Sequence, residues 1–403
     1  MKKNLSSSPE SKSPSRIRIN SLDVLRGLVM IIMALDHTRD FIHFDAFLND
    51  PLNVSTTTPF LYFTRFITHY CAPIFILLAG SSIYLQSFRK STAKLSVFLF
   101  KRGIWLIFVE VVIITFAWTF DYTFHSLILQ VIWAIGICMV LMGLIIRLPF
   151  KVILTGGIIL VFGHNILDFV SSTHQGLLWD LMRNGSFAFH QITEAHQIVI
   201  IYPFVPWLGV MMLGYCLGKL YSADYSATLR QKQLLRGGIG LLLLFVVLRF
   251  LNIYGDPIPW TSYDNLTQTI LSFLNVDKYP PSLLFLCVTL GPALIFLSLF
   301  ETINNKLTQA ISVFGRVPFF YYILHFYIIH LLCMILFLNR GHAFNEPMSL
   351  IFGMKFRFLA VGEGYSLGVV YLVWVLVVLA LYPLCRWFSN MKMHGKHWWL
   401  SYL

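Results

Sequence analysis

The sequence predicts an all-α integral membrane protein, a polytopic bundle of about ten transmembrane helices with both termini in the cytoplasm. Of its 403 residues, 57% are hydrophobic and only 12% are charged, about half the charged fraction of a soluble domain. The mean hydropathy is +0.72. Apolar runs long enough to cross a bilayer recur along the chain, and basic residues cluster in alternate connections between them.

Ten apolar runs, each about 18–26 residues long, are predicted to be the spanning helices. Pro203 and Pro206 predict a kink or a break in the sixth run. Residues 1–20 are expected to form a disordered cytoplasmic tail, 21–387 the membrane bundle, and 388–403 a short cytoplasmic tail. The ten runs are 22–43, 60–85, 96–118, 126–146, 152–170, 197–218, 236–253, 282–300, 317–338 and 364–385.

The distribution of lysine and arginine supports this number of spans. Most of the 30 basic residues lie in one set of alternate segments, which includes both tails. Because cytoplasmic loops carry an excess of basic residues, both tails are predicted to be cytoplasmic. The outer loops are rich in aromatic and small polar residues, which suit either a membrane-interface belt or contact with a sugar.

Composition also excludes several classes of protein. The net charge is +12, but the basic residues follow the loops, so membrane topology explains them better than nucleic-acid binding. The six cysteines all lie in apolar runs without a Cys-x-x-Cys pair, which predicts packing residues and no disulfide framework. No spacing of histidine, cysteine and carboxylate residues resembles a metal site, so no metal is expected.

A cluster of ionisable residues closes the first span. Each charge at membrane depth costs about 2.5–3.5 kcal/mol on insertion scales, and such residues usually mark a transport path or a site. A solvated helix end is the simpler explanation, but the density of the cluster makes it the strongest candidate for chemistry. Its members are Asp36, His37, Arg39, Asp40 and His43.

The spacing of Arg26 and His37 indicates a site that extends across the membrane. They are eleven residues apart, so they share one helix face and are separated by roughly 16 Å. Asp40 lies one turn after His37, and either Asp40 or Asp36 can orient the imidazole and leave its second nitrogen free as a base. His43 lies farther out and is a second candidate for the catalytic histidine.

The second and third spans carry further candidates. Arg65 and His69 lie one helical turn apart, and His69 falls near the membrane midplane. Lys101 and Arg102 open the third span at the cytoplasmic face, where they can bind phosphates or simply reflect topology.

Deeper in the third span, Glu110 is a lone carboxylate that needs a partner, for which Arg26, His69 and His325 are candidates. In the ninth span, Tyr321 and His325 share a face, whereas His325 and His330 diverge by about 140°. These histidines therefore do not form a metal pair, and one of them is expected to reach the central site.

Four segments together resemble a known family: RINSLDVLRGLVMIIMALDHTRDFIH, THYCAPIFILLAGSS, YPFVPWLGVMMLGYCLG and GRVPFFYYILHFYIIH. They are similar to bacterial membrane proteins grouped with heparan-alpha-glucosaminide N-acetyltransferase, within a transmembrane acyltransferase superfamily. The likeness extends from about Arg18 to Tyr382. The spacing of Arg26 and His37 is also similar to the Arg-x10-His signature of the acyltransferase-three family of sugar O-acylases.

The resemblance implies an N- or O-acetyltransferase of the bacterial inner membrane. Such proteins take an acyl group from cytosolic acetyl-CoA (or another acyl-CoA) and place it on a sugar or glycan at the far side. Arg26, Lys101 and Arg102 would hold the donor's phosphates. His37 would act as general base or as nucleophile, although transfer from the family leaves His37 and His43 both open; His37 is preferred because it shares a face with Arg26.

Two further classes of function fit less well. A proton-coupled transporter or lipid-linked-sugar flippase would use the same aspartate, histidine and arginine residues as a proton relay. No inverted repeat supports that alternative, and dependence on acyl-CoA distinguishes it. A structural scaffold would leave the first-span cluster unexplained. A homodimer is compatible with the sequence, which carries no interface motif.

Overall fold

Helix α1 (Asn20–Ile42) is the central helix of the bundle in the computed structural model, which describes residues 20–169, 176–184, 187–395 and 398–401. Most of its residues are buried. The predicted tail 1–20 lies outside the described residues except for Asn20.

The remaining α-helices follow in chain order, with short 3-10 or π-helical segments continuing some of them. They are α2 Pro59–Thr68, α3 Cys71–Ser87, α4 Thr92–Phe108, α5 Thr115–Thr119, α6 Val131–Ile145, α7 Phe150–Gly163, α8 Leu177–Trp179, α9 Phe204–Gly218, α10 Ala227–Leu251, α11 Leu266–Leu274, α12 Leu283–Leu299, α13 Lys306–Arg316, α14 Pro318–Asn339 and α15 Leu367–His394. A π-helical segment, Val109–Ile114, joins α4 to α5.

Each of the ten predicted spans contains a helix, which confirms the helical bundle. Within the described residues, six helical segments are long and apolar enough to cross a membrane, and α6 and α12 are shorter apolar helices. The number of ten crossings remains a prediction. The six segments are Pro59–Ser87, Phe150–Phe169, Phe204–Tyr221, Ala227–Leu251, Pro318–Asn339 and Leu367–His394.

Two small sheets were not predicted. Strands β1 (Ser126–Leu129) and β3 (Gln197–Ile200) pair in parallel, and β2 (Ala188–Gln191) pairs antiparallel with β3. The predicted spans 126–146 and 197–218 therefore begin with a strand and not with a helix. Their β-branched apolar residues are typical of buried strands. A hairpin of β4 (Ser349–Ile351) and β5 (Met354–Phe356) lies beside this sheet, where the Gln197 side chain donates to the Gly353 carbonyl at 2.6 Å.

Two predicted boundaries also change. Pro203 caps the start of α9 and Pro206 lies in its first turn, so these prolines begin a helix and do not break one. This position suits proline because the first turn of a helix leaves its N–H groups without intrahelical partners. Helix α15 continues to His394, so it includes the first residues of the predicted C-terminal tail at 388–403.

Glycines allow α1 to approach α13 closely. A Cβ atom on Gly27 would collide with the carbonyl oxygen of Ile311, and one on Gly315 would collide with the carbonyl oxygen of Asp23. The two backbones therefore touch, as small residues permit in membrane helix pairs. This contact fixes α1 against the half of the bundle that contains α13, α14 and α15.

Gly27→Ala should destabilise the protein because the added methyl forces α1 away from α13. Overpacking of this kind costs about 1–3 kcal/mol. Gly240→Ala is the matched control, since a Cβ at Gly240 meets nothing within 4 Å. Thermal unfolding in detergent should show a lower midpoint for Gly27→Ala only. Equal midpoints for the two variants would contradict the close packing.

Candidate functional site

A cavity of about 560 Å³ opens at the end of the bundle where α1 ends. Its inner wall includes Met33, Ala72 and Phe75, and its mouth includes the exposed Asn49 and Phe352. The cavity therefore leads from the surface loops to the interior of the bundle. All members of the ionisable cluster of the first span line it: Asp36, His37, Arg39, Asp40 and His43.

His37 forms a relay with a histidine of α14. Its Nδ1 lies 2.7 Å from Nε2 of His325, whose Nδ1 lies 3.1 Å from the Tyr321 carbonyl oxygen. Because a carbonyl oxygen only accepts hydrogen bonds, Nδ1 of His325 donates and its Nε2 accepts. Nδ1 of His37 is therefore the donor in the bond between the two rings. Nε2 of His37 keeps the lone pair that a base or a nucleophile needs.

Aromatic rings fix the orientation of this relay. The ring centroids of Phe326 and Trp118 lie 4.0 Å and 5.5 Å from that of His37. The Tyr321 ring is parallel to that of His325, with 5.3 Å between centroids, and the predicted shared face of these two residues is confirmed. His37 is 9% exposed, so little of the imidazole is left uncovered, and that part borders the cavity.

Asp36 and Asp40 pair with arginines. Arg65 donates to both oxygens of Asp36, at 2.8 and 2.6 Å. Arg39 lies 3.1 Å from Asp36 and 2.5 Å from Asp40. Among the described residues, neither carboxylate hydrogen-bonds His37, contrary to the prediction, because the guanidinium groups take their oxygens. The network is buried, so the cluster is not a solvated helix end.

His43 lies at the mouth of the cavity in a different tautomer. Its Nδ1 accepts a hydrogen bond from the backbone N–H of Asp45 at 3.3 Å. A neutral His43 therefore carries its proton on Nε2 and offers no second lone pair for catalysis. This geometry favours His37 over His43 as the reactive histidine.

His69 reaches the cavity from the junction of α2 and α3, where the second predicted span is interrupted. It is 2% exposed, and among the described residues neither ring nitrogen has a hydrogen-bond partner. Such an orphaned buried imidazole is unusual. It stays a candidate site residue, one helical turn after Arg65 in the lining of the cavity.

The loop before α12 supplies a lysine that sequence reasoning missed. Lys278 is 8% exposed, lines the cavity and donates a hydrogen bond to the Tyr279 phenol. Burial raises the pKa of Tyr279, but the nearby Lys278 and Arg65 cations lower it further, so the net shift is downward. No sequence pattern pointed to Lys278, because it lies in a long loop far from any other motif.

Arg249, at the end of α10, organises this loop. It is almost completely buried and donates to the carbonyl oxygens of Ile258 and Ser272 at 2.8 and 3.1 Å. The Asp256 side chain also holds the loop, because it accepts a hydrogen bond from the backbone N–H of Asp277 at 2.9 Å. These bonds fix the backbone immediately before Lys278.

Glu110 does not pair with Arg26, His69 or His325 as predicted. It is buried in the π-helical segment Val109–Ile114, and its Oε2 accepts from the backbone N–H of Trp133 at 3.0 Å. Trp133 lies in the first turn of α6, whose N–H groups have no intrahelical partners. The carboxylate therefore caps α6. Because its partner is a backbone N–H, the search for a charged partner in the sequence could not find this interaction.

The predicted phosphate-binding residues lie away from the cavity. Arg26 donates to Asp23, to the Gly315 carbonyl and to Ser82, each at 3.2 Å. Lys101 and Arg102 lie on α4. None of the three lines the cavity.

His330, the second histidine of α14, does not contact His37. Its ring nitrogens lie 2.8 Å from the Ala117 carbonyl oxygen and 2.9 Å from that of Arg357. It joins α14 to α5 and to the segment after β5. This role is structural, and His325 is the member of the pair that reaches the site.

The family model for "Heparan-alpha-glucosaminide N-acetyltransferase, catalytic" matches residues 18–254, more than half of the chain. The chain belongs to this family. Comparison with curated proteins gives no match. Together with its apolar helices, membership makes the chain an integral membrane protein of an acetyltransferase family. The matched part of the chain includes Asp36, His37 and His69, whereas Lys278 and His325 lie beyond it.

Asp277→Asn should flatten the dependence of stability on pH. Burial raises the pKa of Asp277 from 3.8 to about 7, despite a hydrogen bond from the Tyr279 backbone N–H. The folded state therefore holds this proton more tightly, and stability is lost as pH rises from about 4 through 7. Between pH 5 and pH 8, the free energy of unfolding of the wild type should fall by about 2–3 kcal/mol more than that of the variant.

Thermal unfolding at both pH values measures this difference. The exposed Asp264, replaced by asparagine, is the matched control and should keep the wild-type dependence on pH. An identical dependence for Asp277→Asn and the wild type would show that the Asp277 carboxyl is not held in its protonated form.

Proposed function

We propose that the protein transfers an acetyl group from cytosolic acetyl-CoA to a sugar or glycan acceptor at the outer face of the membrane. His37 is the reactive residue. The observation that carries this proposal is the relay from the Tyr321 carbonyl through His325 to His37, which leaves Nε2 of His37 with a free lone pair beside the cavity. An acceptor hydroxyl or amine loses its proton in the reaction, and an imidazole lone pair is suited to take it.

The proposed topology has ten crossings with cytoplasmic termini, so the cavity opens at the outer face. The loops at its mouth, such as the one containing Asn49, are accessible to an extracytoplasmic acceptor. Asp36 and Arg65 lie deeper and fix the end of α1. The arginine and aspartate network therefore positions His37, and His69 lines the same cavity.

The donor approaches from the opposite face in this proposal. Arg26, Lys101 and Arg102 lie toward the cytoplasmic end and would hold the phosphates of acetyl-CoA. Val29 and Met30 lie on α1 between Arg26 and the cavity and are buried. The helices around them must separate for the thioester to reach His37.

Two routes use the same lone pair. As general base, Nε2 removes the acceptor proton while the acceptor attacks the thioester. As nucleophile, Nε2 itself forms an acetyl-imidazole that the acceptor then cleaves. Only the second route leaves acetyl on the protein in the absence of acceptor.

His37→Ala should abolish transfer of radiolabelled acetyl from acetyl-CoA, with a loss of about 10²–10⁴-fold for a removed general base. Purified protein in detergent is assayed for acetyl-CoA binding, turnover and self-labelling. His43→Ala is the matched control and should keep most of the activity. Self-labelling without acceptor identifies the covalent route.

A wild type that neither binds nor consumes acetyl-CoA would contradict the proposal. It would favour the transporter or flippase alternative, which needs no acyl donor. Full activity in His37→Ala would rule out both chemical routes.

His325→Leu should lower kcat by roughly 10-fold or more because His37 loses the acceptor that fixes its tautomer. His325→Gln should recover much of that loss, since its amide oxygen can accept from Nδ1 of His37. Steady-state kinetics of both variants, with thermal unfolding as a check on folding, measure the difference. Equal activity of the two variants would show that the relay does not set the tautomer.

A further inference from the structure

Lys278 is a buried cation without a carboxylate partner in the cavity. Among the described residues, no carboxylate oxygen lies within 4.0 Å of its ammonium group, and its hydrogen-bond partner is the hydroxyl oxygen of Tyr279. A buried ammonium that lacks an anion is unfavourable, because it gives up hydration without a compensating charge. The site is therefore built to receive negative charge.

The surrounding groups do not supply that charge. Asp36 shares its oxygens with Arg65 and Arg39, and Asp40 pairs with Arg39. These two carboxylates balance the two guanidinium groups, and Lys278 remains in excess.

The other carboxylates of the lining are engaged in the loops at the mouth. Asp45 accepts from Asn49 at 2.7 Å, and Asp50 accepts from the backbone N–H of Leu52 at 2.9 Å. Asp277 accepts from the backbone N–H of Tyr279 at 2.9 Å. Each of them is bound to its own loop.

His69 is a second, independent sign of a ligand. It is more than nine-tenths buried, lines the same cavity, and has no hydrogen-bond partner on either ring nitrogen among the described residues. The charges of Lys278 and Arg65 act on its ring, as do those of Asp36 and Arg39. The His69 ring therefore offers an N–H in the same cavity as the Lys278 ammonium group, and no acceptor among the described residues takes it.

We propose that Lys278 and His69 bind a negatively charged oxygen in the cavity that His37 also lines. The inference rests on the proposed acetyl transfer. Such an oxygen has two possible sources: the thioester carbonyl oxygen as it becomes negative during transfer, or a carboxylate or sulfate group on the acceptor. In both cases the ligand chemistry is an oxyanion held by preorganised donors.

When the oxygen comes from the thioester, the acceptor lone pair forms a bond to the thioester carbon. The acceptor proton passes to Nε2 of His37, and the carbonyl π electrons move onto the oxygen facing Lys278. Collapse restores the carbonyl, breaks the carbon–sulfur bond and releases the thiolate of CoA, which takes the proton from His37. No oxidant or further reactant is needed.

Lys278→Met removes the charge at nearly constant volume, and Lys278→Arg retains it. Both are assayed with acetyl-CoA and two acceptors, glucosamine and glucosamine 6-sulfate, which differ by one anionic group. Lys355→Met is the control, because Lys355 lies on the same end of the protein but does not line the cavity.

If the oxygen comes from the thioester, Lys278→Met should lower kcat by roughly 10²–10³-fold with both acceptors, with partial recovery in Lys278→Arg. If it comes from the acceptor, KM should rise for glucosamine 6-sulfate alone. Either result supports the oxyanion site and identifies its source. Values of kcat and KM within twofold of the wild type for both acceptors would overturn it.

A measurement without catalysis separates this inference from the proposed function. Inorganic sulfate at constant ionic strength should raise the thermal unfolding midpoint of the wild type and of Lys278→Arg, but not of Lys278→Met, because a ligand stabilises the state that binds it. If sulfate raises the unfolding midpoint of Lys278→Met as much as that of the wild type, the oxyanion site is contradicted, even if acetyl transfer is observed. Protection that depends on Lys278 in a protein without transferase activity supports the site and rejects the transferase.

Discussion

The pairing of charges on α1 is the constraint on which the rest of the structure depends. Each charged group buried in an apolar bundle must find a partner, because an unpaired one is far more costly than a paired one. Arg65 of α2 meets Asp36, and Arg39 bridges Asp36 and Asp40. These bonds fix the end of α1 against α2, and with it the position of His37. The close glycine contact between α1 and α13 fixes the other end.

Much of the fold could be predicted, because apolar length determines where helices form in a membrane protein. All ten predicted spans contain helices, although several boundaries moved. The misplaced starts at Ser126 and Gln197 have one cause: a run of apolar residues does not distinguish a buried strand from the beginning of a helix. The amphipathic helix α13 was missed for the opposite reason, since its mixed composition resembles a loop.

Part of the candidate site could be predicted, namely the ionisable cluster at the end of α1, but the contacts of its members could not. The spacing of residues within one helix predicted His37 as the candidate base, because helical geometry alone shows which residues share a face. Its actual partner, His325, lies 288 residues away, where no local pattern operates. The same limit applies to Glu110, which caps a helix through a backbone N–H, and to Lys278, whose position depends on a loop folded around Arg249.

The buried residues Val29 and Met30 have a consequence beyond substrate access. They separate Arg26 at one end of α1 from the polar cavity at the other. A catalyst that draws on both sides of a membrane risks becoming a proton leak, because histidines and carboxylates pass protons readily along a wetted path. The buried apolar side chains of Val29 and Met30 interrupt such a path. In the proposed transfer across the membrane, the apolar middle of α1 would thus act as electrical insulation between the titratable groups of the two faces.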